Sequence, residues 1–214
     1  MPRNPSDVAS ILGLAPVIPV VVIDDEATAV PMARALVAGG LPVIEVTLRT
    51  PAGLSSIRRI AHEVPDAVVG AGTVLSAADV KASVDAGSRF LVCPGTTPDL
   101  LSAILDSGVA PLPAAATASE VIALVERGLT HAKFFPAVPA GGIPYLKALA
   151  GPLPDIRFCP TGGISPATAP EFLALPNVVC VGGSWLTPGD AMAAGDWDRI
   201  ERLAREAAAL GRPR

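Results

Sequence analysis

The feature that most constrains this chain is a recurring unit: a short β-branched apolar run, a turn, then an alanine-rich stretch closed by glycine. The unit returns about every 20 to 30 residues, as expected of a βα repeat. Candidate strands are Val17–Ile23, Val43–Thr47, Ala67–Ala71, Arg89–Cys93, Val109–Leu112, His131–Phe135, Ile156–Cys159 and Val178–Val181. Eight such runs are the number that closes a (β/α)8 TIM barrel. Helices are predicted over Thr28–Val37, Ser76–Asp85 and Ala118–Arg127, stopping at Gly39-Gly40, Gly87 and Gly128, since glycine readily adopts the left-handed C-cap. Ser6–Leu12 reads as an extra N-terminal helix, and Trp197–Leu210 as the helix that closes the outer ring. A doubly wound α/β sheet would use the same units, but usually with fewer strands and longer helices than this length permits.

No linker, low-complexity tract or break in composition divides the 214 residues, so 1–214 reads as a single domain. Half of the residues are hydrophobic, enough to bury a sizeable core. Lys+Arg 16 against Asp+Glu 20 leaves a formal net charge of -4, which argues against a general electrostatic grip on nucleic acid or an anionic membrane. No apolar stretch approaches the roughly 20 residues of a membrane span, and the start, MPRNPSDVASILGLAP, lacks a basic flank and a long apolar region. The chain therefore reads as cytoplasmic. Cys93, Cys159 and Cys180 form no C-x-x-C and leave an odd one, so they read as small buried fillers. Two histidines are too few for a His-built metal centre, and neither metal nor cofactor is expected.

In a barrel, alternate strand residues point inward and active sites lie at the strands' C-terminal ends. In PVIEVTLRT the parity sets Val43, Glu45, Thr47 and Arg49 on the inner face, leaving Ile44, Val46 and Leu48 toward the helices. Glu45 and Arg49 then face the barrel mouth, either for chemistry or as a structural ion pair. The chain has three lysines. Lys81 and Lys147 fall in helical stretches, whereas Lys133 lies within the apolar strand THAKFFPA, on the face of His131 and Phe135. A lysine there is costly unless paired or partly neutral, because desolvation disfavours the ammonium.

A neutral amine can attack a ketone to form a Schiff base, whose protonated imine is an electron sink for breaking the neighbouring carbon–carbon bond. Glu45 could supply the acid/base that such chemistry needs. A buried Lys133–Glu45 salt bridge is the structural alternative. Two further segments, FCPTGGIS and VCVGGSWL, each end in Gly-Gly with serine close behind. Barrels often bind phosphate in the loops after their last two strands, where glycine lets backbone N–H groups approach an oxyanion. Gly162, Gly163, Gly183 and Ser184 are the phosphate candidates, with two ordinary turns as the alternative.

With AGGLPVIEVTLRT, VGAGTVL, FLVCPGTTP, AKFFPA, RFCPTGGIS and VGGSWL all present, the chain resembles the 2-keto-3-deoxy-6-phosphogluconate (KDPG) aldolase and 4-hydroxy-2-oxoglutarate (KHG) aldolase family. The resemblance runs through almost the whole sequence. It implies a homotrimeric barrel, a metal-free class I lyase of the Entner–Doudoroff type, that splits a phosphorylated 2-keto acid into pyruvate and glyceraldehyde 3-phosphate. It also implies that Lys133 is the Schiff-base lysine and Glu45 the general acid/base. By the same resemblance Arg49, Thr73, Pro94, Phe135 and Thr161 contact substrate, Arg49 and Thr73 nearest the pyruvoyl end, and the double-glycine loops with Ser184 hold phosphate. One departure stands out: the family commonly has Pro-Gly where this chain has Pro113-Ala114, which bears on substrate range. Two other functions fit parts of the pattern. A non-catalytic scaffold or metabolite sensor would have no need of Lys133 and Glu45 together, and a phosphate-binding isomerase or decarboxylase could keep both glycine loops.

Overall fold

A computed structural model describes residues 7–211. Among these residues nine parallel strands alternate with helices, except that two short strands adjoin with no helix between them. The strands are β1 (Val17–Val21), β2 (Val43–Thr47), β3 (Val68–Gly72), β4 (Phe90–Val92), β5 (Ala110–Leu112), β6 (Ala114–Ala115), β7 (His131–Phe134), β8 (Arg157–Pro160) and β9 (Val181–Gly183). They form a six-stranded sheet ordered β5-β4-β3-β2-β1-β9 and a three-stranded sheet ordered β6-β7-β8. The result is an α/β fold whose parallel sheet curls into at least a half-barrel.

The strands are apolar on both faces because helices cover one face and the inside of the curl lies on the other. Val17, Val21, Ile44, Val46, Val69, Ala71, Ala132 and Phe134 belong to the layer packed against the helices. Ile18, Val43, Phe90, Val92, Leu112, Cys159 and Cys180 form a separate inner layer. The same inner layer takes in Val8, Ile11 and Leu12 of α1 (Val8–Leu12), whose first turn is capped by the Asp7 carboxylate accepting from Ala9 N at 3.1 Å. Ser6 lies outside the described residues.

Helix starts follow local capping chemistry. Ser76 caps α4 (Ala77–Asp85), Thr97 with Pro98 at the first turn starts α5 (Pro98–Asp106), and Thr117 and Glu120 form a reciprocal capping box on α6 (Ala118–Glu126). Gly40, Gly87 and Gly128 take positive φ just past their helices, at 94°, 95° and 79°. Helices α3 (Gly53–Glu63), α7 (Gly142–Ala150), α8 (Ala169–Leu173) and α9 (Gly189–Ala194), none of them expected from the sequence, complete the series with α2 (Ala29–Ala38) and α10 (Trp197–Ala208).

Two strands depart from the sequence reading. The strand expected at Val109–Leu112 forms as β5, but the extended run continues past Pro113, which has no N–H to give a ladder, as the short β6. On its near side β5 pairs with β4; on its far side β6 pairs with β7, with Ala114 in register with Lys133. The last strand is Val181–Gly183 rather than Val178–Val181. Val178 keeps only an isolated bridge to Phe158, while Val181, Gly182 and Gly183 pair with Val17, Ile18 and Pro19 of β1.

Candidate active site

Glu45 on β2 and Lys133 on β7 reach each other across the inside of the curl. Lys133 Nζ donates to Glu45 Oε1 at 3.1 Å, and the two side chains are only 5% and 4% exposed. Strand parity places them so: Ile44 and Val46 flank Glu45 in the outer layer, and Ala132 and Phe134 do the same for Lys133. Nζ also lies 5.3 Å from the centroid of the half-buried Phe135 ring, a distance at which a cation is attracted to the ring face. Of the two ion pairs open from sequence, Glu45 forms the one with Lys133, not the one with Arg49. The other lysines are elsewhere: Lys81 pairs with Asp85 at 2.7 Å on an exposed face of α4, and Lys147 is exposed on α7.

Arg49 follows the end of β2, exposed, and its Nε donates to Thr73 Oγ1 at 3.3 Å. Thr73 follows β3 with φ 61°. A β-branched residue rarely adopts positive φ, and such conformations persist where surrounding structure holds them, often at functional sites. Sequence parity cannot detect that strain. Pro94 is half-buried just after β4. Thr161, buried after β8, donates from Oγ1 to Cys159 O at 3.4 Å and bridges to Gly182 of β9.

The glycine candidates have neighbours that the sequence reading did not foresee. Gly162 and Gly163 adopt positive φ, 104° and 79°, but a side chain at Gly163 would also meet Val138, and one at Gly162 would lie 3.3 Å from the Phe135 ring. A side chain at Gly183 would collide with the Trp185 ring. Packing therefore accounts for these glycines as well as any approach of an anion. Ser184 is exposed and lines a cavity of about 440 Å³ together with Asp24, Asp25, Thr28 and Thr187. Those four residues were not singled out from sequence, although their position just beyond the ends of β1 and β9 is where a parallel curl places binding groups.

Ala114, the departure noted in the sequence, is buried. Its carbonyl accepts from Thr96 Oγ1 at 2.8 Å, and a little further on the backbone N–H groups of Ala116 and Thr117 donate to Glu120 Oε2 at 2.8 and 2.9 Å. These donors, the Ala116 N–H foremost, hold the Glu120 carboxyl below its ordinary range. Next to the site in sequence but two residues earlier on β7, His131 is pushed below the ordinary histidine value by burial.

A family model described as KDPG and KHG aldolase matches residues 8–203. The 2-dehydro-3-deoxy-phosphogluconate aldolase of Pseudoalteromonas atlantica is 55% identical over 194 residues, covering 91% of this chain and 90% of that protein. Among solved structures, the 2-keto-3-deoxy-6-phosphogluconate aldolase of Zymomonas mobilis with 3-phosphoglycerate is similar at TM-score 0.92 and 48% identity, covering 98% of this chain and 99% of that one. KDPG aldolase from Legionella pneumophila, with pyruvate captured at low pH as a covalent carbinolamine intermediate, also has TM-score 0.92, at 42% identity, covering 97% and 100%.

Proposed function

The chain belongs to the KDPG and KHG aldolase family, and from that membership we propose that it cleaves 2-keto-3-deoxy-6-phosphogluconate to pyruvate and glyceraldehyde 3-phosphate through a Schiff base on Lys133. The observation that carries the assignment of residues is the buried contact of 3.1 Å between Lys133 Nζ and Glu45 Oε1. An amine and a carboxylate in contact inside a largely apolar curl supply a nucleophile and a proton carrier in one place.

The steps balance with these two groups and water. Lys133 passes its ammonium proton to Glu45, and the free amine adds to the ketone carbon to give a carbinolamine; Glu45 returns that proton to the departing hydroxyl, water leaves, and a protonated imine remains. Glu45, now a carboxylate, takes the proton from the hydroxyl two carbons away, and the intervening carbon–carbon bond breaks. The bonding pair moves into the imine as an enamine, and the distal fragment leaves as the aldehyde. Glu45 then protonates the enamine carbon that becomes the pyruvate methyl, and water hydrolyses the imine. No metal is required, because the protonated imine accepts the electron pair.

In this reading Arg49, held beside Thr73, pairs the substrate carboxylate. Pro94, Phe135 and Thr161 wall the reacting carbons, and Ser184 with Gly162, Gly163 and Gly183 receives the phosphate. The proposal includes a single domain and one closed (β/α)8 barrel. Two features support closure: the Pro113-interrupted run, which pairs with β4 on one side and β7 on the other, and the Thr161–Gly182 bridge between the ends of β8 and β9. Assembly into trimers and a cytoplasmic site of action complete it; among the described residues no helix is long and apolar enough to cross a membrane.

Borohydride reduction in the presence of pyruvate tests the chemistry, since only an imine former gains mass. Wild type should trap on Lys133 and Lys133→Ala should not. Full trapping in Lys133→Ala would refute the assignment, and failure of wild type to trap would favour a scaffold or sensor. A panel of phosphorylated and unphosphorylated 2-keto acids, compared as kcat/KM, then weighs KDPG against 4-hydroxy-2-oxoglutarate.

A further inference from the structure

We propose that Gly72 is a positioning residue for proton transfer: the side chain it lacks leaves the space in which the Glu45 carboxylate lies against Lys133. The inference rests on the Schiff-base reading for its catalytic consequence, but its spatial claim stands on packing alone.

On β3, Val69 and Ala71 pack in the outer layer, so Gly70 and Gly72 face the inside of the curl. Each inward glycine is covered by a side chain from a neighbouring strand. A Cβ at Gly70 would meet the Phe90 ring, and a Cβ at Gly72 would collide with Glu45 Oε1, the atom that accepts from Lys133. That Cβ would also stand 2.7 Å from Glu45 Cγ and 2.8 Å from Cδ. Turning the carboxyl about its last bond therefore gives no relief, and the whole Glu45 side chain must leave its present rotamer. Gly72 is not among the glycines with positive φ, so its backbone does not call for glycine. Space for Glu45 does.

β2 and β3 are in register, with Thr47 opposite Gly72 and Glu45 opposite Gly70. Glu45 thus leans along its neighbour strand toward the C-terminal end, and Gly72 is the position it leans onto. A methyl group there moves the carboxylate off the amine without removing either. Misplacing a proton carrier by about an ångström is enough to slow transfer greatly.

The test compares Gly72→Ala with Gly70→Ala, a substitution on the same face of the same strand that crowds Phe90 instead. Each variant is equilibrated with pyruvate and reduced with borohydride to count imine-forming sites. Exchange of the pyruvate methyl protons in deuterated water is then measured per trapped site. Gly72→Ala should lose about tenfold or more in exchange per site, while Gly70→Ala loses thermal stability and keeps its exchange. In a Glu45→Gln background, adding Gly72→Ala should slow exchange no further, because the glycine acts only through the carboxylate. Equal exchange in Gly72→Ala and Gly70→Ala, or losses that add in the double variant, would overturn the proposal. If Gly72→Ala does not fold, Glu45→Ala with Gly72→Ala should fold as well as Glu45→Ala alone, since the colliding side chain is gone; a less stable double variant overturns the spatial claim. Failure of wild type to trap pyruvate would instead sink the Schiff-base reading and leave the spatial claim to that stability comparison.

Discussion

Replacing Lys133 with methionine keeps most of the side chain's volume and removes its charge, leaving Glu45 inside the curl with no cation. The pair is 3.1 Å apart and its side chains are 5% and 4% exposed, so water cannot take over the lost contact. Breaking a buried ion pair by deleting one partner costs about 3 to 5 kcal/mol. At roughly 2 to 4 °C per kcal/mol for a domain of this size, Tm should fall by about 6 to 20 °C. Glu45→Gln, which strands the lysine, should be destabilising for the same reason. The double substitution should recover most of the loss, because exchanging a whole buried pair for neutral groups is often close to neutral in stability. Urea unfolding of the four proteins closes a double-mutant cycle. Single losses that simply add in the double variant would show that the two side chains do not depend on each other, and both the ion pair and the active site built on it would be wrong. A strongly coupled cycle would show that the chain bears the burial of two charges that it could replace with neutral groups, as expected if they are kept for chemistry.

Three further outcomes follow from other parts of the molecule. Ser184→Ala should raise KM for phosphorylated substrate by about tenfold, the value of one hydrogen bond to a charged group, and leave pyruvate trapping intact; equal loss of both would contradict separate sites for the two ends of the substrate. His131 is held below its ordinary value of 6.5 by burial, so the folded chain binds fewer protons than the unfolded one as pH falls past that value. Stability should therefore decline on acidification from about 6.5 toward the folded-state value, and His131→Asn, measured by thermal melts across pH, should remove that part of the decline. Gly39→Ala places a methyl group 2.6 Å from Glu201 O and against Ala204 Cβ, where α2 meets α10; unfolding should show a loss of about 1 to 3 kcal/mol, typical of overpacking, with kcat unchanged.

The sequence by itself determined the elements whose cause is local. Alternation of strand and helix, the capping residues Ser76, Thr97 and Thr117, and the stops at Gly40, Gly87 and Gly128 depend on neighbours a few positions away. Parity also placed Glu45 and Lys133 on inner faces, since a period of two follows from the strand backbone alone. The helix Gly142–Ala150 is harder to read because its start has Gly141 and no side-chain cap to mark it, and much of its stabilisation comes from the sheet it covers.

Only the tertiary structure decided which inward residues meet. Glu45 and Lys133 are 88 positions apart, and it is the curvature of the sheet that brings them to hydrogen-bond distance and leaves Arg49 to Thr73 instead. Pro113 could be read as a break, but not as the place where one run hands its pairing from β4 to β7. The glycines show the limit most clearly. In sequence, Gly163 and Gly183 are alike, each open to a turn or an anion, and Gly72 simply follows a strand run. In the fold, each bare face is filled by a different neighbour, Val138, Trp185 and Glu45. A glycine's reason lies in the atoms that occupy the space of its missing side chain, and chain folding alone brings those atoms there.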